Sequence, residues 1–167
     1  MKLTTDEEEV IAVSDEGRKD EIESCTLSLI GKILTCKPFN KRVVQNTLKK
    51  VWGLEEGVQI LEVGANLYQF KFNTEFDKER ILKGGPWTFD NESLMLRCWQ
   101  KGMTASNVKF ESVSLWVQVW DAPFDMISPT VAEEIGSRIG IVEAVEKRIK
   151  QQAQNLFMRV KSCYSYF

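Results

Sequence analysis

Residues 82–99 read LKGGPWTFDNESLMLRCW, which passes from a charged segment through two glycines, a proline and a tryptophan into an apolar run. The preceding segment has the threonine-to-aspartate spacing of a capping box, beginning at Thr74. This spacing predicts a short helix through Leu82 that buries Phe76 and Ile81. The final SLMLRCW predicts a strand. The glycines and the proline therefore mark a junction between a helix and a strand.

The chemistry of this junction predicts its conformation. Gly84 is expected to supply a left-handed residue that ends the helix, and Pro86 prevents the helix from resuming. Trp87 is then held on a rigid turn, where its indole is expected to close the end of a core. We treat Gly84, Gly85, Pro86 and Trp87 as a structural signature of the fold.

The segments before the junction complete a regular order of elements. Residues 26–36 predict a strand, in which Gly31 indicates a bulge or a close approach of another segment. A helix capped by Asn40 and stopped by Gly53 follows, and VQILEV and LYQFKF predict a hairpin. The order βαββαβ predicts an α+β, ferredoxin-like sandwich like that of RNA-recognition motifs, with an unrelated α+β sandwich as the alternative. The core-facing stripe of the first helix is expected to comprise Val43, Val44, Thr47, Leu48, Val51 and Trp52.

The rest of the chain begins a similar order again. SLWVQVW predicts a strand, a helix opens at Pro129, and IVEAVEKRI with NLFMRV predicts a second hairpin, giving a βαββ half packed on the first. Trp116 and Trp120 fall on one face of their strand and are interpreted as packing between the halves. The predicted organisation is an acidic disordered tail at 1–23, the sandwich at 24–101, a connector at 102–113 and the second half at 114–167.

Composition argues against catalysis. The chain has no histidine, so it lacks the commonest general base and the usual zinc ligand. Its four cysteines lie far apart in sequence, which predicts reduced thiols. We therefore expect a protein that is not an enzyme and that uses no cofactor, metal or small-molecule substrate. The sequence shows no membrane span and no secretory signal, so an intracellular protein is expected, with nucleus or cytoplasm left open.

Charge is divided unevenly along the chain. Residues 1–23 hold nine acids and three bases, whereas residues 24–167 hold 15 acids and 19 bases. A mildly basic folded part behind an acidic tail permits contact with nucleic acid, and an ordinary solvated surface is the alternative interpretation.

Several segments together resemble a known family. They are GKILT at 31–35, VW at 51–52, YQFKF at 68–72, DKERILKGGPWTFDN at 77–91, LMLRCWQKG at 94–102, LWVQVWDAP at 115–123 and IGSRIGIVEAVE at 135–146. They resemble the plant domain of unknown function family 4283, found at the front of Gag-like, zinc-knuckle proteins encoded by LINE-type retrotransposons. The resemblance implies a non-catalytic module derived from a retroelement.

The sequence departs from the plan of that family at its C-terminal end. The resemblance implies a basic strand and then a zinc knuckle that contacts nucleic acid, but here KSCYSYF follows LFMRV. One cysteine without a histidine cannot hold zinc. Any contact with nucleic acid is therefore expected to come from the sheet.

One face of the predicted sheet carries the candidate nucleic-acid-binding residues. Tyr68, Phe70 and Phe72 alternate with polar residues and are expected to lie in the core. The opposite, open face then presents cations and an aromatic ring, which are the groups that bind phosphates and bases. The candidates are Lys32, Gln69, Lys71, Arg97 and Trp99. The alternative is that they are solvated positions that discourage edge pairing.

Three functions remain open at this level. The first is weak binding of RNA or single-stranded DNA and assembly of a ribonucleoprotein. The second is a scaffold for protein interaction or self-association, through an exposed strand edge or the tryptophan face of the second half. The third is a degraded retroelement fragment without selected function.

Overall fold

Two antiparallel sheets and four α-helices make up the described part of the chain, residues 10–147, 150–152 and 155–165 of a computed structural model. The helices are α1 (Lys19–Thr26), α2 (Lys41–Trp52), α3 (Glu75–Gly84) and α4 (Pro129–Ile139). The first sheet contains β1 (Ser28–Ile33), β2 (Val58–Gly64), β3 (Leu67–Phe72), β4 (Trp87–Phe89) and β5 (Glu92–Cys98). The second sheet contains β6 (Ser112–Trp120), β7 (Ile141–Val145), β8 (Lys150–Gln152) and β9 (Asn155–Ser165). The predicted combination of helices with antiparallel strands is confirmed.

The strands of the first sheet lie in the order β2-β3-β1-β5-β4, and each neighbouring pair is antiparallel. The predicted β2–β3 hairpin is confirmed, with Asn66 in the left-handed region at a φ of 53°. The short strand β4 was not predicted. It forms because Asp90 and Asn91 both adopt positive φ, 50° and 63°, the geometry of a tight hairpin turn between β4 and β5.

A single apolar core fills the space between the first sheet and helices α2 and α3. Tyr68, Phe70 and Phe72 are buried there, as predicted. The Trp52 ring lies 5.2 Å from the Phe70 ring, measured between centroids. A Cβ added to Gly31 would lie 2.5 Å from Cε2 of Phe70, so Gly31 is a point of close approach, one of the two predicted possibilities.

Helix α2 begins and ends as its caps predict, but its buried face is narrower than expected. The Asn40 side chain accepts a hydrogen bond from the Arg42 N–H at 2.9 Å, and Gly53 ends the helix at a φ of 66°. The buried residues are Val44, Leu48 and Trp52. Val43 and Val51 are 53% and 59% exposed. The prediction that they face the core is wrong, because a helix lying on one sheet buries the row spaced by four residues and leaves the adjacent row outside.

The GGPW junction holds Trp87 against the core, as predicted. The indole Nε1 donates to the Ile81 carbonyl at 2.7 Å, and its ring lies 6.0 Å from that of Trp52. The prediction of a left-handed Gly84 is wrong: Gly84 is helical, and the capping Gly85 has a φ of −66°. Glycine is needed for space instead, since a Cβ on Gly84 would lie 3.0 Å from the indole.

Helix α3 buries Ile81 as predicted, but it exposes Phe76 and buries a lysine. Phe76 is 74% exposed, so the prediction that it is buried is wrong. Lys78 is buried instead, because its ammonium donates to the Thr26 carbonyl at 3.1 Å and lies 2.8 Å from the Glu75 carboxylate. This ion pair raises the pKa of Lys78 above its ordinary value. A long cationic side chain thereby ties α3 to the last residue of α1, just before β1.

Part of the predicted disordered tail is helical. A 3-10 turn at Glu16–Arg18 leads into α1, which packs against β1 and β3. The predicted strand at 26–36 is correspondingly shorter, because the Ser28 hydroxyl donates back to the Ser24 carbonyl at 2.9 Å and extends the helical path to the first residue of β1. Residues 1–9 of the predicted tail lie outside the described residues.

The second sheet has the order β6-β9-β7, with β8 also paired to β9, and α4 packs on β9 and β7. Ser128 caps α4 by accepting from the Val131 N–H at 3.2 Å. A Cβ on Gly136 would lie 2.5 Å from Val160 Cγ2, so this glycine allows helix and sheet to approach closely. The predicted hairpin is present but interrupted between β7 and β8.

The two halves contact each other at one face of the second sheet. Lys161 Nζ donates to the Lys83 carbonyl at 3.2 Å, beside a 540 Å³ cavity lined by Trp87 and Cys163 among others. The tryptophans predicted to pack between the halves instead make their ring contacts with β9. Trp120 stacks on Phe157 at 4.4 Å, and Arg159 lies 4.6 Å from the Trp116 ring. Both tryptophans point away from α4. Trp120 lies directly opposite Phe157 on β9, whereas Trp116 lies opposite Lys161 and reaches Arg159 diagonally.

Candidate nucleic-acid interface

The strand register places the predicted cations on one face of the first sheet, which we call the outer face because α2 and α3 cover the other. Leu29 of β1 lies opposite Phe70 and Cys98, and this row points to the helices. The next residue, Ile30, lies opposite Gln69 and Arg97 and therefore points outward. The same alternation puts Lys32 and Lys71 on the outer face.

Every charged strand residue that this alternation assigns to the outer face is a cation, but the cations are spread out. Lys71 lies opposite Ser28, whereas Lys32 is four residues further along β1 and is exposed. About 13 Å of strand therefore separates the two lysines. They are too far apart to hold a single phosphate, and each would contact a different part of an extended strand.

Arg97 and Trp99 are engaged within the chain. The Arg97 guanidinium donates to the backbone carbonyl of Lys109. Trp99 is half-buried and lines a cavity of 190 Å³ with Met103 and Val108. Both side chains hold residues 99–109 against the outer face, so neither is presented freely to a ligand.

Gln69 is engaged by α1. Its Nε2 donates to the Ser28 hydroxyl at 3.3 Å and contacts the Cys25 sulfur at 3.7 Å. Helix α1 and residues 99–109 together cover the centre of the outer face, where Ile30 and Leu67 are buried. Met95 on β5 is also buried and lines the cavity beside the second half. The expectation of an open face is therefore wrong at its centre, because these side chains are apolar and require cover.

The sequence contained a signal for this cover. Leu29 and Ile30 are consecutive apolar residues in a strand, so their side chains point to opposite faces. A strand that is apolar on both faces is typically buried on both. The same argument predicts that a further element must cover β1, and α1 supplies it.

An ionic cluster joins the segment before α1 to the residues that follow β5. Asp15, just before the 3-10 turn, pairs with Lys101 and also with Arg18, whose Nη2 lies 2.8 Å from Oδ1. The Lys101 hydrogen bond, followed by that of Arg18, lowers the pKa of the Asp15 carboxyl below its ordinary value of 3.8. The cover over the outer face is thus held by charge as well as by apolar packing.

A second cationic surface, which sequence reasoning did not single out, lies on α2. Residues 24–54 contain six lysines and arginines and no acid. Lys41, Arg42 and Lys50 are exposed on α2, and Lys49 is half-buried. Within the described part of the chain, no carboxylate forms an ion pair with these four residues. The signal in the sequence was the absence of Asp and Glu over 31 consecutive residues.

The family comparison covers both of these surfaces. A family described as "Domain of unknown function (DUF4283)" matches residues 21–107, just over half of the chain. The chain belongs to this family. The DUF4283 match spans most of α1 and all of the first sheet, and it stops before β6. No curated protein matches the sequence.

The structure also shows whether its helices could span a membrane. Among the residues it describes, each helix is too short or too polar to cross a lipid bilayer.

Proposed function

We propose that this chain is a non-catalytic, intracellular, Gag-like module of plant LINE-type retroelement origin that binds RNA or single-stranded DNA weakly and assists assembly of a ribonucleoprotein. Membership of the DUF4283 family supports the retroelement part of this proposal through the resemblance described above. The observation that carries the nucleic-acid part is the acid-free run of residues 24–54, with its exposed cations on α2.

The assignment of the first half to the ferredoxin-like fold is part of the same proposal. The order β2-β3-β1-β5 with antiparallel neighbours supports a ferredoxin-like first half. Val44 of α2 and Ile81 of α3 lie in one core with β1 and β3, which supports two helices on one face of that sheet.

Helix α2 is better suited than the outer face as the main contact surface. Arg42 and Lys50 are eight residues apart, a little over two turns, so they project from the same side of the helix about 12 Å apart. No carboxylate of the described residues forms an ion pair with Arg42 or Lys50, whereas α1 adds Asp20, Glu21 and Glu23 beside the outer face. A polyanion is therefore attracted more strongly to α2, with Lys32 and Lys71 contributing secondary contacts.

The experiment is a titration of a fluorescent 20-nucleotide RNA by the full chain at two salt concentrations, followed by anisotropy. The variant Arg42→Glu with Lys50→Glu is expected to bind at least tenfold more weakly. It should also lower the slope of log affinity against log salt by about 1.4, the value for two phosphate contacts to a single strand. The matched control is Arg138→Glu with Lys147→Glu, which makes the same change in net charge on exposed residues of the second half.

The outcomes separate the possible surfaces. Equal loss in the α2 variant and the control would mean that only net charge matters, and would exclude an interface on α2. If Lys32→Glu with Lys71→Glu loses more RNA affinity than the α2 variant, the outer face is the main contact surface. Wild-type protein that leaves the RNA free at low salt would refute nucleic-acid binding altogether.

A further inference from the structure

The outer edge of β6 has no paired strand among the described residues, and only its first three residues, 112–114, line the cavity beside the first half. β6 is nine residues long and has one strand neighbour, β9, in the part of the chain that the structure describes. None of its nine residues is buried, whereas Phe157, Met158 and Val160 of β9 are. Helix α4 makes its main contacts with β9 and β7, and Val117 and Val119 of β6 pack beside them on the same face. The backbone groups along that edge are available to a further strand.

This edge lacks the features that usually prevent strand addition. β6 reads SVSLWVQVW, without a charge, a proline or a glycine. The edges of the first sheet differ: β4 has three residues, and β2 carries Glu62 and a register shift. Short strands, charges and bulges are the devices that protect edges, so β6 is the unprotected edge among these three.

We propose that β6 pairs in antiparallel orientation with β6 of a second copy of this chain, joining the two second sheets into one sheet of six main strands. A two-fold axis perpendicular to the sheet at Trp116 keeps both α4 helices on the same face. Pairing along nine residues gives an interface about 30 Å long. This interface is independent of the nucleic-acid surface on α2.

The sequence of β6 complements itself about that axis. Val113 lies opposite Val119 of the second copy, and Leu115 lies opposite Val117, so aliphatic pairs line the helix-covered face. Trp116 meets its own equivalent on the other face. Because the two-fold axis brings the positions around Trp116 near their own copies, a charge there would meet a like charge, and β6 contains none.

The test is sedimentation velocity of the full chain over a range of concentrations. Wild-type protein is expected to show a concentration-dependent monomer–dimer equilibrium. Leu115→Lys should weaken the dimer by roughly tenfold or more, because the two new ammonium groups lie diagonally across the interface. Leu156→Lys is the matched control, since Leu156 lies on β9 of the same sheet and is 37% exposed against 40% for Leu115.

A mixing experiment tests the register and the identity of the partner. Leu115→Lys and Leu115→Glu chains should each be monomeric alone and should form a mixed dimer when combined, because the diagonal pair then has opposite charges. Wild-type protein that remains monomeric at all concentrations would refute the proposal. So would equal weakening by Leu156→Lys, or failure of the mixed dimer to form while circular dichroism shows both chains folded.

Discussion

Strands β1 and β6 are both rich in apolar residues, yet they differ in burial. Five of the six residues of β1 are buried, and none of the nine residues of β6 is. β1 has a strand on each side, α2 and α3 over one face, and α1 with residues 99–109 over the other. β6 has one neighbouring strand and one covered face. Burial here is decided by position in the sheet and by what the chain lays over it, more than by the composition of the strand.

Matched leucine truncations give the largest expected contrast between the two strands. Leu29 of β1 is fully buried, so Leu29→Ala should lower the free energy of unfolding by about 2–5 kcal/mol. Leu115→Ala in β6 should cost less than about 1 kcal/mol, because the leucine is already partly in water. Urea unfolding of both variants measures the difference. Equal losses would show that the β6 edge is covered, as in a dimer that is stable at the protein concentration used. Repeating the unfolding at a lower concentration, where such a dimer dissociates, should then restore the difference between the two variants.

A glycine substitution tests how tightly β1 is enclosed. Gly31→Ala places a methyl group 2.5 Å from Phe70 and 2.8 Å from Leu96, so neighbouring core side chains must move. We expect a loss of about 1–3 kcal/mol in the free energy of unfolding. Gly17→Ala is the control, since its nearest atom would be 3.9 Å away. If Gly31→Ala is as stable as the control, the core over β1 is looser than its geometry implies.

These contrasts show what the sequence could and could not predict about the fold. The alternation in β3 and the caps of α2 predicted the elements of the first sheet, because local chemistry sets them. The cover by α1 was missed, because its acidic sequence is typical of a solvated tail, and its docking depends on the distant residues Gln69 and Lys101. Val43 and Phe76 were misplaced because helical spacing does not reveal how much of a helix its sheet can cover.

Removing a buried hydroxyl is expected to have the opposite effect on stability from the two core substitutions above. The Tyr68 hydroxyl is buried without a hydrogen-bond partner among the described residues, and burial raises the pKa of this phenol above its ordinary value. Tyr68→Phe should therefore leave stability unchanged or increase it by up to about 1 kcal/mol. Thermal unfolding measures this. A loss greater than about 1 kcal/mol would mean that the hydroxyl has a partner in solution, such as water.

The smallest expected effect concerns the ionic contact that helps hold α1 over β1. The folded-state pKa of Asp15 is lowered, chiefly by Lys101, so its contribution to stability is complete above pH 3.8 and is lost as the pH falls through the folded value. Amide exchange in α1 should accelerate below about pH 4, ahead of exchange in β3. Asp15→Asn should already show faster exchange at pH 6. Asp125→Asn, at an exposed site in the second half, should not; if it does, Asp15 has no specific role.

The candidate site was predictable in part. Strand alternation placed Lys32, Gln69, Lys71 and Arg97 on the same face, as the register shows. Whether that face is exposed to solvent was not predictable from β3 alone, because it is covered by α1, which precedes the sheet in the sequence, and by residues 99–109, which follow it. The cationic surface on α2 was visible in the sequence as a run without acids on the outer side of a helix, and the structure adds that Val43 and Val51 lie outside the core as well.

The ionic cluster at Asp15 and the Arg97–Lys109 hydrogen bond bear on where a fragment of this domain should begin and end. Both lie at the limits of the family match, since Asp15 precedes residue 21 and Lys109 follows residue 107. A fragment cut at those limits would begin inside a helix and lose the acceptor of Arg97, leaving Ile30 and Leu67 poorly shielded. Boundaries set a few residues wider on each side, near 10 and 111, would retain both contacts and the cover that they hold over the first sheet.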